Sequence, residues 1–407
     1  MDELCYFCSA YGGWGIVRVG ALVPEAHLLF VCPTSCGRHN SIGAVQHGYK
    51  DKVSYQFIDQ RDIALGTIDR DIIASTKRLI DTLPKRPKVF LLYFSCVLYL
   101  AGFDWDAVIQ DLEALYLDIQ FRRCMMNPVA ASRVPPAVAM QESLCSLWKD
   151  GPKENTMNLI GCNRPLEENN ELPEILKKCG NIELLHIGKM TTLEAYEKMG
   201  QSRWNLVLGS AALPSAKRRA GNMDYRFLPV HYDIEKVDAQ YEELFSMLGN
   251  RVDTTSYRSR AERAIEDTLR AVGDRRIALS SSAVESVFSL ALFMLHRGFQ
   301  VSAVFCNGCP NHEKEAMETL RQEYPELKIY NVYSPKNVLN VGKLSPSDIA
   351  VGFTAGYFTG AKSVAELSMD EGMFGYCGIQ SLMERLKSAA ETPNPLEPMV
   401  ERYGLVI

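Results

Sequence analysis

The sequence lacks any strong imbalance of charge. Its 44 Lys and Arg stand against 49 Asp and Glu, a formal charge of −5, so the dense positive charge on which nucleic-acid affinity rests is missing. A long apolar run is missing too. The longest uncharged apolar stretch, Val89 to Phe103, falls short of the ~20 residues that span a bilayer, and Ser95-Cys96 interrupts it. Asp2 and Glu3 stand where a signal peptide would carry Lys or Arg. No Gly-x-x-x-x-Gly-Lys-Ser/Thr loop is present, so nucleotide hydrolysis is not expected of this chain. These absences predict a soluble cytoplasmic protein that binds neither nucleic acid nor membrane. Hydrophobic residues, 47% of the total and spread along the chain, exclude extended disorder.

Cysteine, by contrast, is plentiful: 12 residues. In a reducing compartment they do not form a disulfide framework. Some of them pack as small hydrophobes, the reading that suits Cys124, Cys145 and Cys179.

Short apolar runs rich in β-formers alternate with amphipathic helical stretches, the signature of an α/β fold with parallel sheets. The length suits two or three domains. The pattern predicts three Rossmann-like units around a central inter-domain cleft, at residues 1–150, 151–272 and 273–407, with the chain from Leu344 packing back across the others. Expected strands are Ala26–Val31 and Val89–Phe94, then Met157–Gly161, Ile182–Ile187 and Trp204–Gly209. In the last unit they are Arg276–Ser280, Gln300–Phe305, Lys328–Tyr333 and Asp348–Gly352. Expected helices include Asp69–Leu83, Asp104–Ile119 with Asp104 as N-cap, Ser259–Arg270 and Val284–His296.

Ligands in such folds gather at the carboxyl ends of strands. Cys32, Cys96, Cys162 and Cys306 fall at predicted strand ends, and Cys36 just beyond one. Cys5-Tyr-Phe-Cys8 adds a CxxC that zinc sites, redox pairs and chance all share. Zinc favours paired CxxC knuckles, whereas thiolates on separate supersecondary units suit an iron–sulfur cluster. Chemistry alone leaves cluster ligation and scattered structural thiols both open.

The order of motifs adds a resemblance. Cys8-Ser-Ala-Tyr-Gly-Gly, then Cys32-Pro-Thr-Ser-Cys36, then Ser95-Cys96 followed by Gly102-Phe-Asp104, resembles the catalytic-component subunits of nitrogenase and its relatives. Those relatives include the dark-operative protochlorophyllide reductase and the reductive cyclase of coenzyme F430 synthesis. Gly66-Thr67, Ser347-Asp-Ile-Ala-Val-Gly352 and Gly375-Tyr376-Cys377-Gly378 are similar to further family segments, so the likeness runs nearly the whole length. Carried over, it implies that Cys8, Cys36 and Cys96 hold a 4Fe-4S or larger P-cluster-like iron–sulfur cluster. Met157-Asn-Leu-Ile-Gly-Cys162-Asn-Arg164 resembles the segment whose Cys holds the active-site cofactor, which implies a second iron–sulfur-type cofactor near Cys162. The sequence also departs from the family. Cys32 stands at a usual Gly, Phe374 stands where the cofactor histidine is expected, and no His follows His312.

The resemblance therefore implies an oxidoreductase component that takes low-potential electrons from an ATP-dependent iron–sulfur reductase and reduces an unidentified substrate. A sister subunit or a second copy of the chain would share the cluster. A cofactor-assembly scaffold and a non-redox metal- or tetrapyrrole-binding module are the alternatives. His39 and Arg164 are the catalytic candidates, one as a proton donor beside the cluster, the other as a guanidinium offsetting cluster charge. Weaker metal candidates are Cys5, Cys32, Cys306, Cys309 and Cys377.

Overall fold

The computed structural model describes residues 15–46, 48–126 and 134–398. Its architecture is the expected α/β class, with three parallel sheets. The first contains β1 (Ala26–Cys32), β2 (Val53–Phe57), β3 (Val89–Ser95) and β4 (Gln120–Met126) in the order β2-β1-β3-β4. The second contains β5 (Glu154–Ile160), β6 (Glu183–Leu185), β7 (Ser202–Val207) and β8 (Asp224–Phe227) in the order β6-β5-β7-β8. The third contains β9 (Arg276–Ser280), β10 (Gln300–Cys306), β11 (Lys328–Asn331), β12 (Ile349–Val351) and β13 (Ser363–Ala365) in the order β11-β10-β9-β12-β13.

Each sheet is wound in the same way. The chain leaves the sheet's first strand to one side, then returns to its other side, so winding reverses between β1 and β3, β5 and β7, and β9 and β12. These are the crevices in which doubly wound folds bind ligands.

Composition explains the strands. β1 (AHLLFVC) and β3 (VFLLYFS) are central, buried along their whole length and almost continuously apolar, as a sheet covered on both faces requires. Four strands escape the sequence reading: β2, β4, β8 and β13. All are edge strands. VSYQF and DYRF are mostly half-exposed and carry polar residues, and SVA has only three residues, so neither the apolar run nor strict alternation announces them.

The helices follow their caps. Asp104 is the N-cap expected of it, accepting from the Ala107 N–H at 3.1 Å, but its helix spans Trp105–Leu115 rather than reaching Ile119. The helix Thr255–Val272 buries Tyr257, Ala261, Ile265, Thr268 and Val272 along one stripe. It packs there against the C-terminal helix Gly375–Glu391, with the Thr268 hydroxyl donating to the Met383 carbonyl at 3.0 Å. One apolar core joins the second and third sheets, and another joins the first and second. No described helix is long and apolar enough to cross a membrane.

Candidate functional site

At the reversal of the first sheet, β1 and β3 pair in register up to Val31 and Phe94. Cys32 therefore ends β1 beside Ser95, and Cys96 opens the short helix Cys96–Leu100. Pro33 turns the chain into the helix Thr34–Gln46, with the Cys36 N–H donating to the Pro33 carbonyl at 3.0 Å. The turns carrying Cys36 and Cys96 thus lie side by side at one sheet edge, although the residues are far apart in sequence.

Their surroundings differ from those of the fully buried thiols. Cys36 and Cys96 are half-buried. Cys32 is fully buried, and burial with the nearby Cys36 pushes its thiol up to about 12. Cys124 and Cys145 are buried and held protonated by desolvation, and Cys179 is buried as well, in keeping with a packing role. Beside Cys96, the Ser95 hydroxyl is buried and, among the described residues, has no hydrogen-bond partner. A buried hydroxyl left unpaired costs about 1–3 kcal/mol. Cys5 and Cys8 lie outside the described residues. The backbone of His39 is part of the helix Thr34–Gln46, and its side chain lies outside the described set.

The second sheet builds its reversal from two glycines. Gly161, at φ 82°, and Gly209 touch so closely that a Cβ on the first would sit 2.5 Å from the Gly209 nitrogen. A Cβ on the second would sit 2.2 Å from the Gly161 oxygen. This approach sets Cys162 at the strand end. His186 fixes it there: its Nδ1 accepts from the Gly188 N–H at 2.9 Å, so its Nε2 carries the proton and donates to the Cys162 carbonyl at 3.2 Å. Burial holds His186 down at about 4, which keeps the ring neutral near pH 7.

Glu371 closes the site from the third unit. Its carboxylate accepts from Arg18 Nη1 and Nη2 at 2.6 and 3.0 Å, and pairs with Arg164 Nε at 3.1 Å. The predicted catalytic candidate Arg164 is therefore one arm of an ionic clamp. Burial, then the Glu371 charge, pushes the Cys162 thiol up to about 12. The approach to Glu371 is strained: Met369 and Asp370 adopt φ 49° and 53°, a conformation costly for side-chain-bearing residues. It is held by Met369 N–H to Ser282 O (2.9 Å) and Asp370 N–H to Ala283 O (2.8 Å). The Asp370 carboxyl also accepts from the Tyr232 hydroxyl and the Glu285 N–H, both at 2.7 Å.

Phe374, at the position expected for a cofactor histidine, is a buried core residue packed edge-on against Tyr241. After it, Gly375 takes φ 62°, and a Cβ there would lie 2.2 Å from Glu171 Oε1. Glu171 accepts from the Tyr241 hydroxyl (2.7 Å) and the N–H groups of Tyr376 (2.6 Å) and Cys377 (3.1 Å), capping the C-terminal helix. The Cys377 thiol donates to the Asn169 carbonyl at 3.2 Å; burial and Glu171 push it up to about 12. Cys306 and Cys309 direct their thiols to the carbonyls of Tyr330 and Pro310, at 3.7 and 3.5 Å.

Among the described residues, no three His, Cys, Asp or Glu side chains are grouped to hold a metal ion. Arg18 and Glu371 carried no signal in the sequence because each acts through a partner on another unit, and His186 carried none because it acts on a backbone carbonyl 24 residues away.

No curated protein matches the chain in sequence. Among solved structures, the fold is similar to one described as "Nitrogenase Cp1 at pH 6.5", with a TM-score of 0.74 at 15% identity over 96% of this chain and 92% of that one. A second, "Nitrogenase Cp1 at pH 5", aligns with a TM-score of 0.66 at 13% identity over 97% and 90% of the two chains. The family model for nitrogenase component 1 type oxidoreductases matches residues 12–391, and the chain belongs to that family.

Proposed function

We propose that the chain is the electron-accepting component of a two-part reductase, with Cys8, Cys36 and Cys96 holding an iron–sulfur cluster. When bound, such a cluster supplies one-electron transfer at low potential. The observation that supports this reading is that the turns carrying Cys36 and Cys96 follow the adjacent strands β1 and β3 at one reversal crevice, beside a Ser95 hydroxyl without a hydrogen-bond partner among the described residues. Two half-buried thiols and an orphaned donor fit a sulfide-bearing group, which accepts hydrogen bonds. The exposed side chains of Phe57 and Leu100 give this edge an apolar rim. That rim suits cover by a sister subunit or a second copy. Electrons would come from an ATP-hydrolysing iron–sulfur partner, since this chain has no phosphate-binding loop of its own.

The surroundings of Cys162 do not fit a second cluster. The cavity that Cys162 lines has a volume of about 20 Å³, room for about one water and none for a cluster. Phe374, at the position expected for the cofactor histidine, is a buried core residue against Tyr241. The substrate is accordingly proposed to bind where the three units meet. There Arg18, Arg164 and Glu371 set the charge, and His186 orients the Cys162 backbone.

A cofactor-assembly scaffold is the second reading, favoured by Phe374 standing in the sequence where the family's cofactor histidine is expected. Anaerobic reconstitution with iron and sulfide tests both readings. A chain that binds no iron would overturn them together. If iron binds, addition of the ATP-dependent reductase separates them: an enzyme cycles its cluster electrons, whereas a scaffold releases the cluster to an acceptor.

A further inference from the structure

The turn after β10 carries two thiols that the cluster reading does not use. Cys306 ends the strand and is buried, the chain bends at Asn307, and Cys309 is half-buried three residues on. Asn307 and Gly308, at the crest, are exposed. The Cys306 thiol donates to the Tyr330 carbonyl at 3.7 Å, and a charge on Cys309 would be felt at Cys306. A metal does not explain the pair. His312, at the spacing of a third ligand, faces the Ser286 hydroxyl at 3.4 Å and sets its ring edge-on to Phe227 at 5.4 Å. Among the described residues, no metal-holding group includes these thiols.

We propose that Cys306 and Cys309 form a reversible redox pair that exchanges two electrons with a disulfide-bearing partner. The inference is independent of the cluster reading. Cys309 is the accessible member. Its thiolate attacks one sulfur of R–S–S–R, releases RS⁻ and leaves a mixed disulfide on Cys309. Cys306 then loses its proton and attacks the Cys309 sulfur, releasing the second RS⁻. The Cys306–Cys309 bond forms as the partner bond breaks. Two protons and two electrons leave the protein thiols, and one disulfide becomes two thiols.

The electrostatics set the character of the pair. Burial raises both thiols. At Cys309, Glu313 and Glu318 add to the rise while Lys314 and Arg321 oppose it. A dithiol whose thiolates are poorly stabilised forms its disulfide at a reducing potential and reacts slowly at neutral pH. The pair is thus matched to reducing partners, and its exchange quickens as pH rises.

The test incubates the full chain without oxygen in oxidised glutathione at mildly alkaline pH, then alkylates it and maps the peptides by mass. The expected product is a Cys306–Cys309 cross-link, two hydrogens lighter than the dithiol, reversed by a dithiol reductant, with Cys124 and Cys145 still free. Cys306→Ser is expected to trap glutathione on Cys309, and Cys309→Ser to leave Cys306 unmodified. Recovery of both residues as separate alkylated thiols would overturn the proposal. So would glutathione on Cys309 without the internal bond in the unaltered chain.

Discussion

The guanidinium of Arg18 and the carboxylate of Glu371, 353 positions apart in sequence, form a two-pronged ion pair at 2.6 and 3.0 Å. Arg164 joins them from the second unit at 3.1 Å. One side chain from each third of the chain thus meets at a single carboxylate, whose side chain is only 8% exposed. Removing one member leaves a charge desolvated without its partner, which outweighs the modest worth of an exposed ion pair.

Glu371→Gln is therefore expected to destabilise the fold by about 2–3 kcal/mol in denaturant titrations. The same change removes a negative charge that pushes the Cys162 thiol up. Alkylation of Cys162 against pH should shift to lower pH in the variant. An unchanged alkylation profile would mean that burial alone sets this thiol.

Glu171 makes a different kind of link. It satisfies three donors, the Tyr241 hydroxyl and the Tyr376 and Cys377 N–H groups, at the start of the C-terminal helix. Glu171→Ala leaves all three buried and unpaired, for a loss of roughly 3 kcal/mol or more. Gly375→Ala should be comparably damaging, because its Cβ would meet the Glu171 oxygen at 2.2 Å and φ is 62°. Hydrogen exchange should rise first at the start of this helix. Uniform exchange along the chain would count against a local cap.

Acidification should destabilise the protein between about pH 6.5 and 4. Burial lowers His27 and His186 from 6.5 to about 4, and His231 to about 3. Below 6.5 the unfolded chain takes up three protons that the folded chain refuses. Asp370 works the other way: burial raises it from 3.8 to about 7, so the folded state holds its proton where the unfolded state has lost it. Burial raises Asp233 likewise, from 3.8 to about 6, so between about pH 6 and 4 the balance is three minus two, one more proton in the unfolded state, a slope of about 1.4 kcal/mol per pH unit. Asp370→Asn should steepen the fall, and His27→Gln should flatten it, in unfolding titrations run at several pH values.

Most of the fold was legible because its central strands are buried on both faces and read as unbroken apolar runs. β1, β3, β9 and β10 lie within a residue or two of expectation. Of the six edge strands, β6 and β11 were expected but the other four were not legible, since half-exposed VSYQF and DYRF resemble loop sequence. For the candidate site, Cys36, Cys96 and Cys162 could be read from their place after strands and from family motifs. Glu371 and His186 could not. The role of Glu371 depends on an approach across units and that of His186 on a carbonyl 24 residues away, and local sequence encodes neither a 353-residue ion pair nor a ring that holds a carbonyl.

The unpartnered Ser95 hydroxyl gives the cluster reading a test separate from the cysteines. Without iron, Ser95→Ala removes a buried donor that has no acceptor, so stability should stay level or rise by about 1 kcal/mol. With iron, the hydroxyl has a sulfide or thiolate to donate to, and its loss should shift the reduction potential downward while iron content stays the same. Cys36→Ala and Cys96→Ala should instead each lower iron content and shrink the low-temperature electron paramagnetic resonance signal of the reduced protein. The two effects are separable, because a ligand is counted in iron and a hydrogen bond in potential. Equal iron and an equal signal in both cysteine variants would remove these thiols from the site. An unmoved potential in Ser95→Ala would leave the orphaned hydroxyl as a packing defect of the strand end.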